Sequence, residues 1–187
     1  ASLQAPLDGL VLFALLDIHD TFENKDEFLR VMEQLELFTQ QFNSPALGPI
    51  VDMYRARRAV LLGENDQAVQ IMDVVVEDLK SSFANLQTSD LLDSARSLQA
   101  STYRKAGNTD RALEITNQIL LDNPGFTWGR LEQVETLVAK GFFEMAESEA
   151  ETLRAAWSKA DADYVMVQKL DQLEAQIAEA DTGSAGP

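Results

Sequence analysis

At 187 residues, with 45% hydrophobic and 25% charged residues, the chain is long enough for one packed domain or a short array of repeats, and too apolar for a disordered segment. Its 31 Asp and Glu against 15 Lys and Arg leave a net charge of −16, which repels phosphate backbones and argues against nucleic acid as a partner; the simplest reading of the excess is solubility. No cysteine is present, which excludes disulfides, thiolate zinc sites and cysteine nucleophiles and leaves the redox compartment undecided.

Apolar spacing and capping residues predict nine helices and no strands. The first spans 7–19, with Pro6 at its start, and contains the longest apolar run, Leu10 to Leu16. That run is about a third of a membrane span, so no transmembrane helix is expected. No basic n-region precedes it, so any signal peptide is expected to have been removed or never to have existed. A soluble protein follows, in the cytoplasm ahead of the periplasm. The second helix, 25–42, carries Phe28, Val31, Met32, Leu35 and Phe38 at three- and four-residue spacing. Asn43, Ser44, Pro45, Gly48 and Pro49 then break the chain.

Helices at 49–62 and 65–81 follow. The second is rich in β-branched residues (Ile71, Val74, Val75, Val76), which alone suggest a strand, but its length and its Asn65-Asp66 start favour a buried helix. Further helices are predicted at about 89–106, 109–122, 126–140, 143–158 and 161–180. In the last, Met166, Leu170, Leu173 and Ile177 form one narrow apolar stripe, as suits a terminal capping helix opened by Asp161 and Asp163. Residues 181–187 are small and polar and read as a disordered tail.

A hexapeptide pattern recurs across these helices: Gly63-Glu-Asn-Asp-Gln-Ala68, Gly107-Asn-Thr-Asp-Arg-Ala112 and Gly141-Phe-Phe-Glu-Met-Ala146. Each Gly ends one amphipathic stretch and each Ala lies inside the next. The last two glycines are 34 residues apart, and Pro124 follows Gly107 by 17. The pattern resembles the tetratricopeptide repeat, a helix-turn-helix unit of that period. Gly63 and Gly107 are 44 residues apart, and Arg96, Gln99 and Ala100 stand where the family places Trp, Leu and Gly, while Tyr103 matches. The resemblance implies an all-α right-handed solenoid of antiparallel hairpins. Repeats would cover 49–159, with a divergent N-terminal hairpin at 7–42 and a capping helix at 161–180 in a single domain of residues 1–180.

In that family the first helix of each hairpin lines a concave groove. Carried over by the glycine registers, the groove positions are Ile50, Met53, Arg57, Val60 and Leu61, then Ser94, Ser97, Ser101, Arg104 and Lys105, then Trp128, Leu131, Glu135, Val138 and Ala139. The resemblance thus implies a peptide-binding groove built on Met53, Arg57, Ser97, Ser101, Arg104, Lys105, Trp128 and Leu131, for an extended peptide with an acidic group and an apolar anchor. The family's chaperone-tail clamp uses Lys and Asn where this chain has Met53, Ser97 and Ser101, so that activity is not expected. Local pairing of Arg57 and Arg104 with acids is the competing reading.

Chemistry is sparse. His19 is the sole histidine, and its neighbours Asp17 and Asp20 point elsewhere on a helix, so it reads as a cation near a helix C-terminus. Asp161, Asp163, Glu77 and Asp78 lack the alternating pattern of a calcium loop, and no phosphate loop, nucleophile elbow or paired-histidine zinc motif occurs. A non-enzymatic chain without cofactor or metal is expected, acting as a scaffold or adaptor for a protein or peptide. The alternatives are an oligomerisation or sensory domain of a larger assembly and, from size, charge and the stretch Gly141 to Glu149, a dimeric chaperone resembling the acidic tetratricopeptide proteins of bacterial type III secretion. The first helix has no polar face, so Leu12, Phe13 and Leu16 are expected at a homodimer or partner interface, the alternative being burial under the second helix together with Leu3 and Leu7.

Overall fold

The computed structural model describes residues 4–22, 24–42, 47–82 and 90–184. Among these residues the chain is all-α. Its helices are α1 (Gln4–Thr21), α2 (Lys25–Gln41), α3 (Gly48–Leu62), α4 (Asn65–Ser82), α5 (Asp90–Lys105), α6 (Thr109–Asp122), α7 (Thr127–Lys140), α8 (Phe143–Ala156) and α9 (Val165–Ser184). The chain groups into two compact units, Ala1–Asp78 and Leu79–Pro187.

Three turns repeat one device. Gly63, Gly107 and Gly141 adopt φ of +81°, +84° and +75°, the left-handed region that only glycine enters without strain. At each, the glycine N–H donates to the carbonyl three residues back and the next residue's N–H to the carbonyl five back: Gly63 to Val60 and Glu64 to Ala59, Gly107 to Arg104 and Asn108 to Tyr103, Gly141 to Val138 and Phe142 to Leu137. This double closure uses carbonyls that the helix end would otherwise leave unpaired. Ala68, Ala112 and Ala146, five residues on, have no exposed surface, as the repeat pattern predicts.

In the first unit α1 packs on α2 and α2 on α3. Phe28, Val31, Met32 and Leu35 of α2 join Leu16, Val51 and Tyr54 in one core. Gly9 lets α1 approach closely, since a Cβ there would stand 2.9 Å from the Phe38 ring. In α4, Ala68, Met72, Val75 and Val76 are buried at helical spacing, so its β-branched residues serve a helix.

In the second unit each helix packs on the next from α5 to α9, and α7 also touches both α5 and α9. This central position leaves α7 buried at Gly129 and from Leu131 through Leu137. Leu131, Val134 and Leu137 meet Ala146, Ala150 and Leu153 of α8 and Leu170, Leu173 and Ile177 of α9. At Gly129 a Cβ would lie 2.8 Å from Ile119 Cγ2, so the glycine sets how closely α7 approaches α6.

The last helix departs from expectation at both ends. Asp161 and Asp163 precede it, because residues 157–164 are held as turns: Tyr164 N–H donates to the Asp161 carbonyl at 3.0 Å, and the Tyr164 ring meets Trp157 edge-on at 6.1 Å. The helix runs on to Ser184, correcting the reading of 181–184 as an irregular tail; 185–187 lie outside the described residues.

Candidate functional site

A cluster of charged side chains lies where α5, α7 and α9 meet. On α7, Trp128, Glu132, Glu135 and Ala139 follow helical spacing along one stripe. Its ends, Trp128 and Ala139, are exposed, while Glu132 and Glu135 are each only 7% exposed. Cations lying across the middle of the stripe account for the difference. From α5, Arg104 forks onto Glu132, Nε to Oε1 at 2.7 Å and Nη2 to Oε2 at 3.1 Å, and its Nη2 also donates to Glu135 Oε2. From α9, Lys169 Nζ pairs with the other oxygen of Glu135. Ser101 lies 3.4 Å from Arg104 Nη2, and Thr136 Oγ1 donates to the Glu132 carbonyl at 2.8 Å.

The electrostatics follow from burial. Loss of hydration pushes the Glu132 carboxyl above the usual glutamate range; Arg104 opposes the rise and the neighbouring Glu135 adds to it. Burial draws the Arg104 guanidinium down, but Glu132 and Glu135 more than offset this and hold it above its ordinary value. Lys105 is exposed as a residue, yet desolvation of its ammonium, with repulsion from Arg104, holds it below the usual lysine range. Five charged groups on three helices thus form one coupled set with three cations and two carboxylates.

The structure distributes the predicted groove residues unevenly. Ser97, Ser101, Arg104, Lys105 and Trp128 belong to the second unit, with Ser97 and Ser101 half-buried and Trp128 46% exposed. Leu131 is corrected from a groove residue to a core residue, 4% exposed, because it faces α8 and α9. Arg104 is corrected from a free groove cation to the clasp of an internal ion pair. Met53 and Arg57 belong to the first unit, and Ile50 and Leu61 pack onto that unit's core. Arg57 is likewise ion-paired: its Nη1 lies 2.8 Å from Asp20 and 3.6 Å from Asp17, and its guanidinium sits 5.5 Å over the Tyr54 ring. Tyr54 O–H donates to Asp17 at 2.8 Å, and burial together with that bond pushes its phenol well above its usual range.

Glu132 and Lys169 escape a reading based on groove positions. Their partners are 28 and 34 residues away in sequence, so only the stacking of α5, α7 and α9 reveals them. The acidic spacing Glu132, Glu135 behind Trp128 is the one local signal that marks the stripe.

On α1, Leu16 is corrected from an interface residue to a fully buried core residue. Leu12 and Phe13 are partly buried against the same core, and Phe13 stacks on Tyr54 at 5.6 Å. The helix instead exposes Leu10, Val11, Ala14 and Ile18, followed by Phe22.

Comparison of the chain with protein-family models, with curated proteins and with solved structures finds no match.

Proposed function

We propose that the chain is a non-catalytic protein-interaction module of tetratricopeptide-like architecture, whose second unit receives a segment of a partner protein on the α5, α7 and α9 face. The observation that carries this reading is Trp128. It is an aromatic side chain left 46% exposed on a helix otherwise buried along most of its length, at the open end of a stripe whose middle is closed by ion pairs. Exposed aromatics beside a rigid polar frame are the usual anchors of protein recognition. The solenoid reading is supported by the three identical Gly turns and by packing in which α7 touches both α5 and α9.

Because Arg104 is engaged by Glu132 and Glu135, recognition here rests on Trp128 and the hydroxyls of Ser97 and Ser101 more than on a free cation. Site-specific photo-cross-linking tests the reading. A benzophenone amino acid at position 128 should capture a protein in cells of the native host, and one at Leu121, exposed on α6, should not. Capture at Leu121 alone would move the site to another face, and capture at neither would remove the module reading. The exposed apolar face of α1 favours a second role, in assembly.

A further inference from the structure

The surroundings of the chain's six lysines divide them into classes. Lys140 pairs with Asp110 and Lys169 with Glu135, so in each a carboxylate favours the protonated amine. Lys25, Lys80 and Lys159 stand exposed. Lys105 differs from all of these: it is exposed in the last turn of α5, yet two cations act on it, Arg104 beside it and Lys169 from α9. The carboxylates of this cluster bind the other two cations, Glu132 taking Arg104 and Glu135 taking both Arg104 and Lys169. The cluster therefore holds one positive charge more than its two acids neutralise. We propose that Lys105 is a covalent modification site, its amine accepting an acyl group from an activated carboxylic acid, either a thioester or an acyl phosphate.

Only the neutral amine has the lone pair that attacks an acyl carbon. Desolvation, and then repulsion from Arg104 and Lys169, hold Lys105 below the usual lysine range against the pull of Glu132 and Glu135. More of it is therefore neutral near physiological pH than of an ordinary lysine, and desolvation beside another cation is the setting that activates an amine as a nucleophile. In the step, the Nζ lone pair forms a C–N bond to the acyl carbon. The bond from that carbon to the thioester sulfur or the phosphate oxygen breaks, its electron pair leaves with the thiolate or phosphate, and the proton lost from nitrogen passes to water.

Charge explains why position 105 takes the group and position 169 does not. An amide at Lys105 leaves two cations against two carboxylates, and the repulsion that Lys105 exerts within the cluster disappears. The same change at Lys169 would strip Glu135, 7% exposed, of one of its two cations. This assignment holds whether or not Trp128 anchors a partner.

The test incubates the wild-type chain with acetyl phosphate and, in a parallel arm, with acetyl coenzyme A, and follows acetylation of each lysine by mass spectrometry after cleavage at glutamate. In at least one arm Lys105 should be acetylated about threefold faster or more than Lys25 and Lys159 near neutral pH, and its rate should level off at lower pH than theirs. The arm in which this happens identifies the donor. Lys169→Gln removes one repelling cation; it should slow Lys105 and move its pH profile upward, leaving Lys25 and Lys159 unchanged. Lys140, whose side chain is 12% exposed, should stay slow while the fold holds. If that variant loses the protection of Lys140, the wild-type pH profile decides alone. The proposal is overturned if Lys105 reacts no faster than Lys25 and Lys159 in both arms, if its rate levels off at the same pH as theirs, or if a folded Lys169→Gln chain leaves its profile in place.

Discussion

Removing Arg104 and removing the charge of Glu132 should have unequal costs and opposite dependence on pH, although the two residues form one bond. Arg104→Met deletes the cation that both Glu132 and Glu135 face at 7% exposure. Glu135 keeps Lys169, but Glu132 is left as a buried carboxylate without its cation, a situation that costs about 3–5 kcal/mol. The retained Lys169 pair places the expected loss at the lower end, about 3 kcal/mol. For a unit of about a hundred residues that lowers the melting temperature by roughly 12–24 °C. Glu132→Gln removes a carboxylate that burial already disfavours and leaves Arg104 paired with Glu135, so its cost should stay within about 1 kcal/mol of wild type.

The pH dependence supplies the sign. Because the folded pKa of Glu132 is raised, its contribution to stability is fully present below the unfolded value of about 4.3 and is lost as pH rises through the folded value. Glu132→Gln does not titrate, so its stability relative to wild type should improve as pH rises from about 4 to 8. Arg104→Met should do the reverse and lose further ground over the same range. Urea unfolding of both variants and wild type at the two pH extremes measures these differences. If Glu132→Gln instead falls behind wild type as pH rises, the carboxylate is stabilised in its ionised form, and the reasoning from burial fails.

Three further substitutions probe the helical frame, one of them a control in the first unit. Gly129→Ala should cost about 1–3 kcal/mol, because its Cβ would meet Ile119 Cγ2 at 2.8 Å and Phe126 Cδ1 at 2.9 Å, whereas Gly48→Ala, with nothing within 4 Å, should be nearly silent in the same thermal melts. Asn108→Ala removes the side-chain oxygen that accepts from Arg111 N–H at 3.2 Å and should cost about 1 kcal/mol; a loss under 0.2 kcal/mol would mean that water replaces the cap.

What could be read in advance was what short-range chemistry dictates. Gly63, Gly107 and Gly141 announce left-handed turns because no other residue enters that region as cheaply, and Ala68, Ala112 and Ala146 mark burial through their fixed offset. Phe28, Val31, Met32 and Leu35 declare their face because polar residues separate them. On α1 that contrast is missing. With apolar residues on every side, periodicity carries no phase and does not distinguish Leu16, which is buried, from Ile18, which is exposed. Asp161 and Asp163 mislead for another reason: acids suit a turn as well as a first helical turn, and the Trp157–Tyr164 contact that settles the choice is tertiary. Arg104 and Glu135 fall at the right face by register, but that they satisfy each other depends on the packing of α5 against α7.

The ion pairs also determine what kind of surface remains for partners. Arg30, Arg55, Arg57, Arg96, Arg104, Arg111, Arg130 and Arg154 all form ion pairs within the chain. The basic minority is therefore largely engaged internally, and the unmatched charge presented to solvent is negative. A partner held by that charge would have to be basic, and raising salt beyond physiological strength, where screening already acts within about 8 Å, would release it. Trp128 is uncharged, and salt should weaken a partner anchored on it far less. Ionic strength thus separates an acidic chain that binds through its charge from one that binds through an uncharged anchor such as Trp128.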